Sequence, residues 1–167
     1  DPHRADCPSE FKEICGAEVV FRLICVAEGA EPEELLFEYA DILSVAVTAD
    51  IMPLKGENRS IVKEGIKKLK SAPSAGLSAI MSVAGIKCGD MNASRIAFGI
   101  APRINAAGRL GNADIAFRLL TTDNESEALK LAKRIDELNT ERRETENEIF
   151  KKAAETIEKE GLDHRRV

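Results

Sequence analysis

The sequence has no apolar run approaching the ~20 residues that a membrane-spanning helix needs. The longest, residues 19–27 and 42–49, are short, and Arg22 interrupts the first. Cysteine is sparse and poorly spaced for metal. Cys7, Cys15, Cys25 and Cys88 form no Cys-x-x-Cys pair, and only two histidines are present to complete a zinc site. Nothing resembling a secretory signal precedes Cys25, which lies in an apolar run where a free thiol packs as a small hydrophobe. Reduced thiols in a cytoplasmic protein are therefore expected. His3 and His164 have no ligand-spaced neighbours and read as loop residues.

What is present suits one folded unit. The chain has 167 residues, and domains usually run about 100–200. With 44% hydrophobic and 32% charged residues it is too apolar for a disordered chain. Neither end reads as a natural terminus, so a segment of a longer protein is expected. The net charge of −5 is unevenly spread: −9 over residues 1–50, +7 over 51–122 and −3 over 123–167. A basic middle third can neutralise phosphates and release counterions, although a solvated helix face has the same composition.

The periodicity is helical almost throughout. Residues 17–27 are apolar nearly all round and end at Gly29, as a buried helix with a glycine cap would. Pro32, Glu33 and Glu34 suit the first turn of a second helix carrying Leu35, Leu36, Tyr39, Ile42 and Leu43 inward. The run Val45-Ala46-Val47-Thr48 fits strand or buried helix equally. An amphipathic helix follows over 58–70, with Val62, Ile66 and Leu69 inward and four lysines outward. A short helix ends at Gly85, and another spans about 93–100 and stops before Pro102. Residues 124–160 predict one long helix, capped by Asp123 or Asn124 and ended by Gly161. Residues 139–148 of it contain no apolar side chain, the pattern of a solvent-bridging linker supported by spaced charges. The expected pairs are Lys133 with Glu137, Arg142 with Glu146, Glu148 with Lys152 and Glu155 with Lys159.

Two places carry chemistry. Asp50 closes an apolar run just before a loop, a position suited to a functional carboxylate or to a simple cap. The stretch Ala101-Pro102-Arg103-Ile104-Asn105-Ala106-Ala107-Gly108-Arg109-Leu110-Gly111 joins two arginines, an amide, small residues and two glycines. Backbone can approach a ligand closely there while guanidinium groups bind phosphate oxygens in pairs. On composition alone a capped turn between two helices fits as well.

The segments Thr48-Ala49-Asp50-Ile51-Met52-Pro53-Leu54, Glu57-Asn58-Arg59 and 101–111, in this order and spacing, resemble the RecJ family of single-strand-specific DNA exonucleases in the DHH phosphoesterase superfamily. The Gly16-Ala17 turn and the Thr122-Asp123 opening of the last helix are similar too, so the resemblance covers essentially the whole chain. It implies a mainly α fragment of an α/β DHH phosphoesterase domain. Residues 1–122 would form a helical subdomain, 123–161 a long linker helix, and 162–167 the start of the DHH-associated domain.

The activity implied is metal-dependent removal of nucleotides from the 5′ end of single-stranded DNA in recombination and repair. Mn2+ or Mg2+ would occupy a two-metal site in which Asp50 is one ligand, completed by residues upstream of this chain. Arg103, Asn105, Gly108 and Arg109 become the candidate DNA phosphate site. Single-stranded DNA is the implied partner, with a single-strand-binding protein and a helicase also implied, and no membrane. The chain alone is expected to be inactive. Two departures from the family pattern are Ala46-Val47-Thr48 before Asp50 and Glu18 after Gly16-Ala17. The alternatives are a superfamily hydrolase of short RNA or cyclic dinucleotides, and a non-catalytic helical scaffold that binds nucleic acid.

Overall fold

The computed structural model describes residues 2–109 and 111–161, with the side chain of Arg109 outside the described set. Leu110, His164 and the expected start of a further domain at 162–167 lie outside the described residues. The described residues form helices and no strand, in the order α1 (Gly16–Glu28), α2 (Pro32–Ala49), α3 (Gly56–Ser71), α4 (Ala75–Val83), α5 (Ala93–Arg95), α6 (Ala101–Arg109), α7 (Ala113–Thr121) and α8 (Glu125–Glu160). A π turn, Ile96–Ile100, joins α5 to α6 without a break. The described residues are thus mainly helical, with one long helix closing the order.

Sequence signals place most boundaries. Pro32 opens α2 behind the Glu31–Glu34 capping box, and Asn124 caps α8 by accepting the Glu127 N–H at 3.0 Å. Val45 to Thr48 resolve as helix, the last turns of α2. Contrary to expectation, α1 is not buried all round. Phe21 and Cys25 pack inward, while Val20 and Leu23 remain more than half exposed. A helix packed against neighbours on one side only leaves the opposite stripe uncovered.

Two apolar clusters hold the helices together. Cys15, Phe21, Cys25, Leu43, Val47, Ile61 and Val62 unite α1, α2 and α3. The second cluster gathers Leu69, Leu77, Ile80, Ile96, Ile100, Leu119, Ile135 and Leu138, from the end of α3 to the first half of α8. Each such fully buried Leu or Ile contributes about 1.5–3 kcal/mol. α2 and α3 cross closely at Gly65, where a Cβ would stand 2.2 Å from the Ser44 Cβ.

A buried ion pair adds a polar tie. Lys68 Nζ lies 3.0 Å from Asp41 Oδ1, and Asp41 Oδ2 accepts the Ser74 N–H at 3.0 Å. One carboxylate thereby joins α2, α3 and the start of α4.

The first half of α8 is docked through Ala128, Ala132, Ile135 and Leu138. Beyond Asn139 it stands away, and Ile149, Phe150 and Ile157 are exposed. Of the expected charge pairs only Arg142–Glu146 forms among the described residues; Glu137 pairs instead with Arg134 at 2.9 Å. No described helix is long and apolar enough to cross a membrane.

Candidate functional site

α2 delivers Asp50 to the surface by an unusual ending. The Met52 N–H reaches back to the Val47 carbonyl at 3.0 Å and the Ile51 N–H to Thr48 at 3.2 Å. This is the Schellman arrangement, which requires a left-handed residue just past the helix and usually employs glycine. α1 and α4 end in the same way on Gly29 and Gly85. In α2 the left-handed position is Ile51, at φ 55°, the only non-glycine residue with positive φ among the described residues. A β-branched side chain in that conformation is strained. Asp50, immediately before it, is exposed, and its carboxylate makes no hydrogen bond or ion pair with the described residues.

The loop beyond is pinned from α3. Asn58, fully buried, donates from Nδ2 to the Pro53 carbonyl at 3.1 Å and to the Glu13 carbonyl at 2.7 Å. Asn58 therefore ties down the backbone that follows Asp50. Glu18, the other departure noted in the sequence, is a buried cap: its Oε2 accepts the Cys15 N–H at 2.7 Å.

The 101–111 segment is helix up to Arg109, in place of the turn, and of the stop before Pro102, that its composition allows. The π turn explains why proline is tolerated. Proline has no N–H to return to the fourth residue back. Here the preceding Ala101 N–H already goes five residues back, to the Ile96 carbonyl, and the widened turn accommodates the ring. Ala106 and Ala107 are fully buried, so α6 presses its small face into the core and turns Asn105 and Gly108 outward.

The sequence-derived residues separate accordingly. Asp50, Asn105 and Gly108 line one shallow cleft between the end of α2 and α6, together with Ala49 and Ile104. The Asn105 amide has no partner among the described residues. Arg103 points elsewhere. Its Nε donates to Asp136 Oδ1 at 2.8 Å and its Nη1 to the Gly99 carbonyl at 2.6 Å, so the guanidinium clamps α6 to α8. The Arg109 backbone closes α6, and its side chain lies outside the described residues.

A second cleft of about 450 Å³ adjoins the first and shares Ala49 and Asn105 with it. Ile51, Phe98, Pro102 and Arg142 line it. Sequence reasoning did not single out Phe98. The available signal was spacing: Ile96 and Ile100 face the core, which turns the residue between them outward. Among the described residues no three His, Cys, Asp or Glu side chains group as a metal site needs.

No family model matches the chain. It is similar to the single-stranded-DNA-specific exonuclease RecJ of Bacillus subtilis, 36% identical over 162 residues, covering 97% of this chain and 20% of that protein. It is also similar to the protein of the same name from Thermus thermophilus, 38% identical over 153 residues, covering 90% of this chain and 22% of that one. Among solved structures, RecJ from Thermus thermophilus in complex with Mn2+ superposes with a TM-score of 0.75 at 38% identity. That match covers 89% of this chain and 22% of the other. The chain thus spans about a fifth of the length of these relatives. With sequence and fold agreeing over nearly its whole extent, the chain is a RecJ homologue of the DHH phosphoesterase superfamily.

Proposed function

We propose that this chain is the helical part of the catalytic domain, with its linker helix, of a metal-dependent exonuclease that hydrolyses single-stranded DNA from the 5′ end in recombination and repair. The observation that carries this reading is the meeting of Asp50, Asn105 and Gly108 at one cleft in a chain homologous to RecJ. Superfamily hydrolysis of short RNA or cyclic dinucleotides is the less favoured activity, since the curated relatives are single-stranded-DNA-specific exonucleases.

Asp50 suits a hard divalent cation such as Mn2+ or Mg2+. Such ions take oxygen ligands. The exposed Asp50 carboxylate, unpartnered among the described residues, offers one, and the solved relatives contain Mn2+ or Mg2+. Two such ions supply activation of water and stabilisation of the leaving oxygen. Among the described residues no cluster can hold one, and on this reading the remaining donors belong to a part of the protein outside this chain.

The chain's own residues bind and position. Asn105 donates from its side-chain amide to a phosphate oxygen, Gly108 lets the strand approach the helix backbone, and Arg109 supplies the paired contacts of a guanidinium. Arg103 acts through its clamp on Asp136, which sets the depth at which α6 presents Asn105. α8 links the catalytic part to a following domain. Partnership with a single-strand-binding protein and a helicase rests on the homology alone.

The test compares the purified chain with the full-length protein in manganese buffer on 5′-labelled single-stranded DNA. The chain binds the strand and releases no nucleotide, whereas the full-length protein degrades it. Robust nucleotide release by the chain alone would locate a complete active centre within these residues and overturn the reading.

A further inference from the structure

The cleft beside the proposed catalytic edge has walls that the metal and phosphate contacts do not use. Phe98 is 83% exposed and Ile51 88% exposed, and both line it. Phe98 is presented by the π turn, a local distortion frequently found at functional sites. Arg142 of α8 also lines the cleft; its Nε is buried with no hydrogen-bond partner among the described residues, while Nη1 pairs with Glu146 and Nη2 lies 3.5 Å from Asn139 Oδ1. Asn105 and Ala49 line both clefts, so the two adjoin.

An aromatic face, a neighbouring cation and continuity with a phosphate-binding edge are the parts from which non-specific single-strand sites are built. Every base has a π face, whereas the backbone presents phosphates at regular intervals. We propose that this cleft is a nucleotide subsite, in which one base of the bound single strand stacks on Phe98 against Ile51 while Arg142 faces the adjoining phosphate. The proposal rests on the single-strand reading of the Asp50 cleft. It adds a residue that senses the base, where Asn105, Gly108 and Arg109 sense only the backbone.

The sequence makes the test direct, because it contains no tryptophan. Phe98→Trp places a single indole in the cleft of the 167-residue chain. Oligothymidylate should quench its fluorescence, and an abasic strand of equal length should bind with far less quenching. In the full-length protein, Phe98→Ala should raise KM for base-bearing single strands about tenfold with the thermal midpoint unchanged. Arg142→Gln should weaken base-bearing and abasic strands alike. Equal quenching by both strands, or strand binding without quenching, would overturn the stacking subsite and leave the phosphate reading in place. A lowered midpoint of full-length Phe98→Ala with KM unchanged would assign the ring to a buried protein contact and overturn it as well. Failure of any strand to bind either protein would instead remove the single-strand reading itself.

Discussion

Arg103 and Asp136, 33 positions apart, meet through a 2.8 Å hydrogen bond that ties the motif helix α6 to the long helix α8. Both side chains are substantially covered. A charge-assisted bond of this kind contributes about 1.5–3 kcal/mol. Arg103→Ala and Asp136→Ala should therefore each lower stability by about that amount. The double variant should lose much less than the sum, because either single change already breaks the pair. Denaturant unfolding of the four proteins measures the coupling. Strict additivity would mean that Arg103 is not held internally and is available to ligand.

Ile51 carries a cost that Gly85 does not. The two residues occupy equivalent left-handed positions, at φ 55° and 66°, past α2 and α4. A single L residue in that region costs about 1–2 kcal/mol. Ile51→Gly should stabilise the fold by about 1 kcal/mol, the entropy of the added glycine offsetting part of the relief, and Gly85→Ala should destabilise it similarly. Thermal melts of both variants check this. Because strain at such positions accompanies function, Ile51→Gly is also expected to lower turnover of the full-length protein by loosening the presentation of Asp50. Unchanged turnover with raised stability would make Ile51 an incidental cap.

α8 should divide near Asn139 into a protected and an open half. Ala132, Ile135 and Leu138 are buried before that point, whereas the later apolar residues are exposed. Charge pairs on an exposed helix contribute only about 0.2–0.5 kcal/mol each. In a monomeric sample of the chain, amides beyond residue 139 should exchange fastest among the helices. Strong protection throughout 140–160 would contradict the linker assignment.

Local signals were legible in the sequence wherever a single residue dictates backbone geometry: Gly29, Pro32, Asn124 and Gly161 mark the helix ends as their chemistry requires. Asp50 and Asn105 could be nominated from their segments, yet nothing local shows that they share a cleft. Contacts across long separations escaped: Arg103 with Asp136, and Asp41 with Lys68, obey no spacing rule because tertiary packing alone brings them together. Pro102 misled for a related reason. Its effect depends on how the preceding turn is hydrogen-bonded, and a π turn removes the penalty that an α turn would carry. The exposed stripe of α1 escaped because composition records how apolar a face is and not whether anything covers it.

The most direct measurement of the central claim is paired metal binding and turnover for Asp50→Asn in the full-length protein. A neutral amide is a poorer donor to a hard cation than a carboxylate. The account predicts that turnover on single-stranded DNA is abolished and Mn2+ affinity reduced. The thermal midpoint without metal and the affinity for the strand should stay close to those of the unchanged protein. Near-normal turnover at saturating Mn2+ would contradict it and leave Asp50 as no more than the residue at which α2 ends.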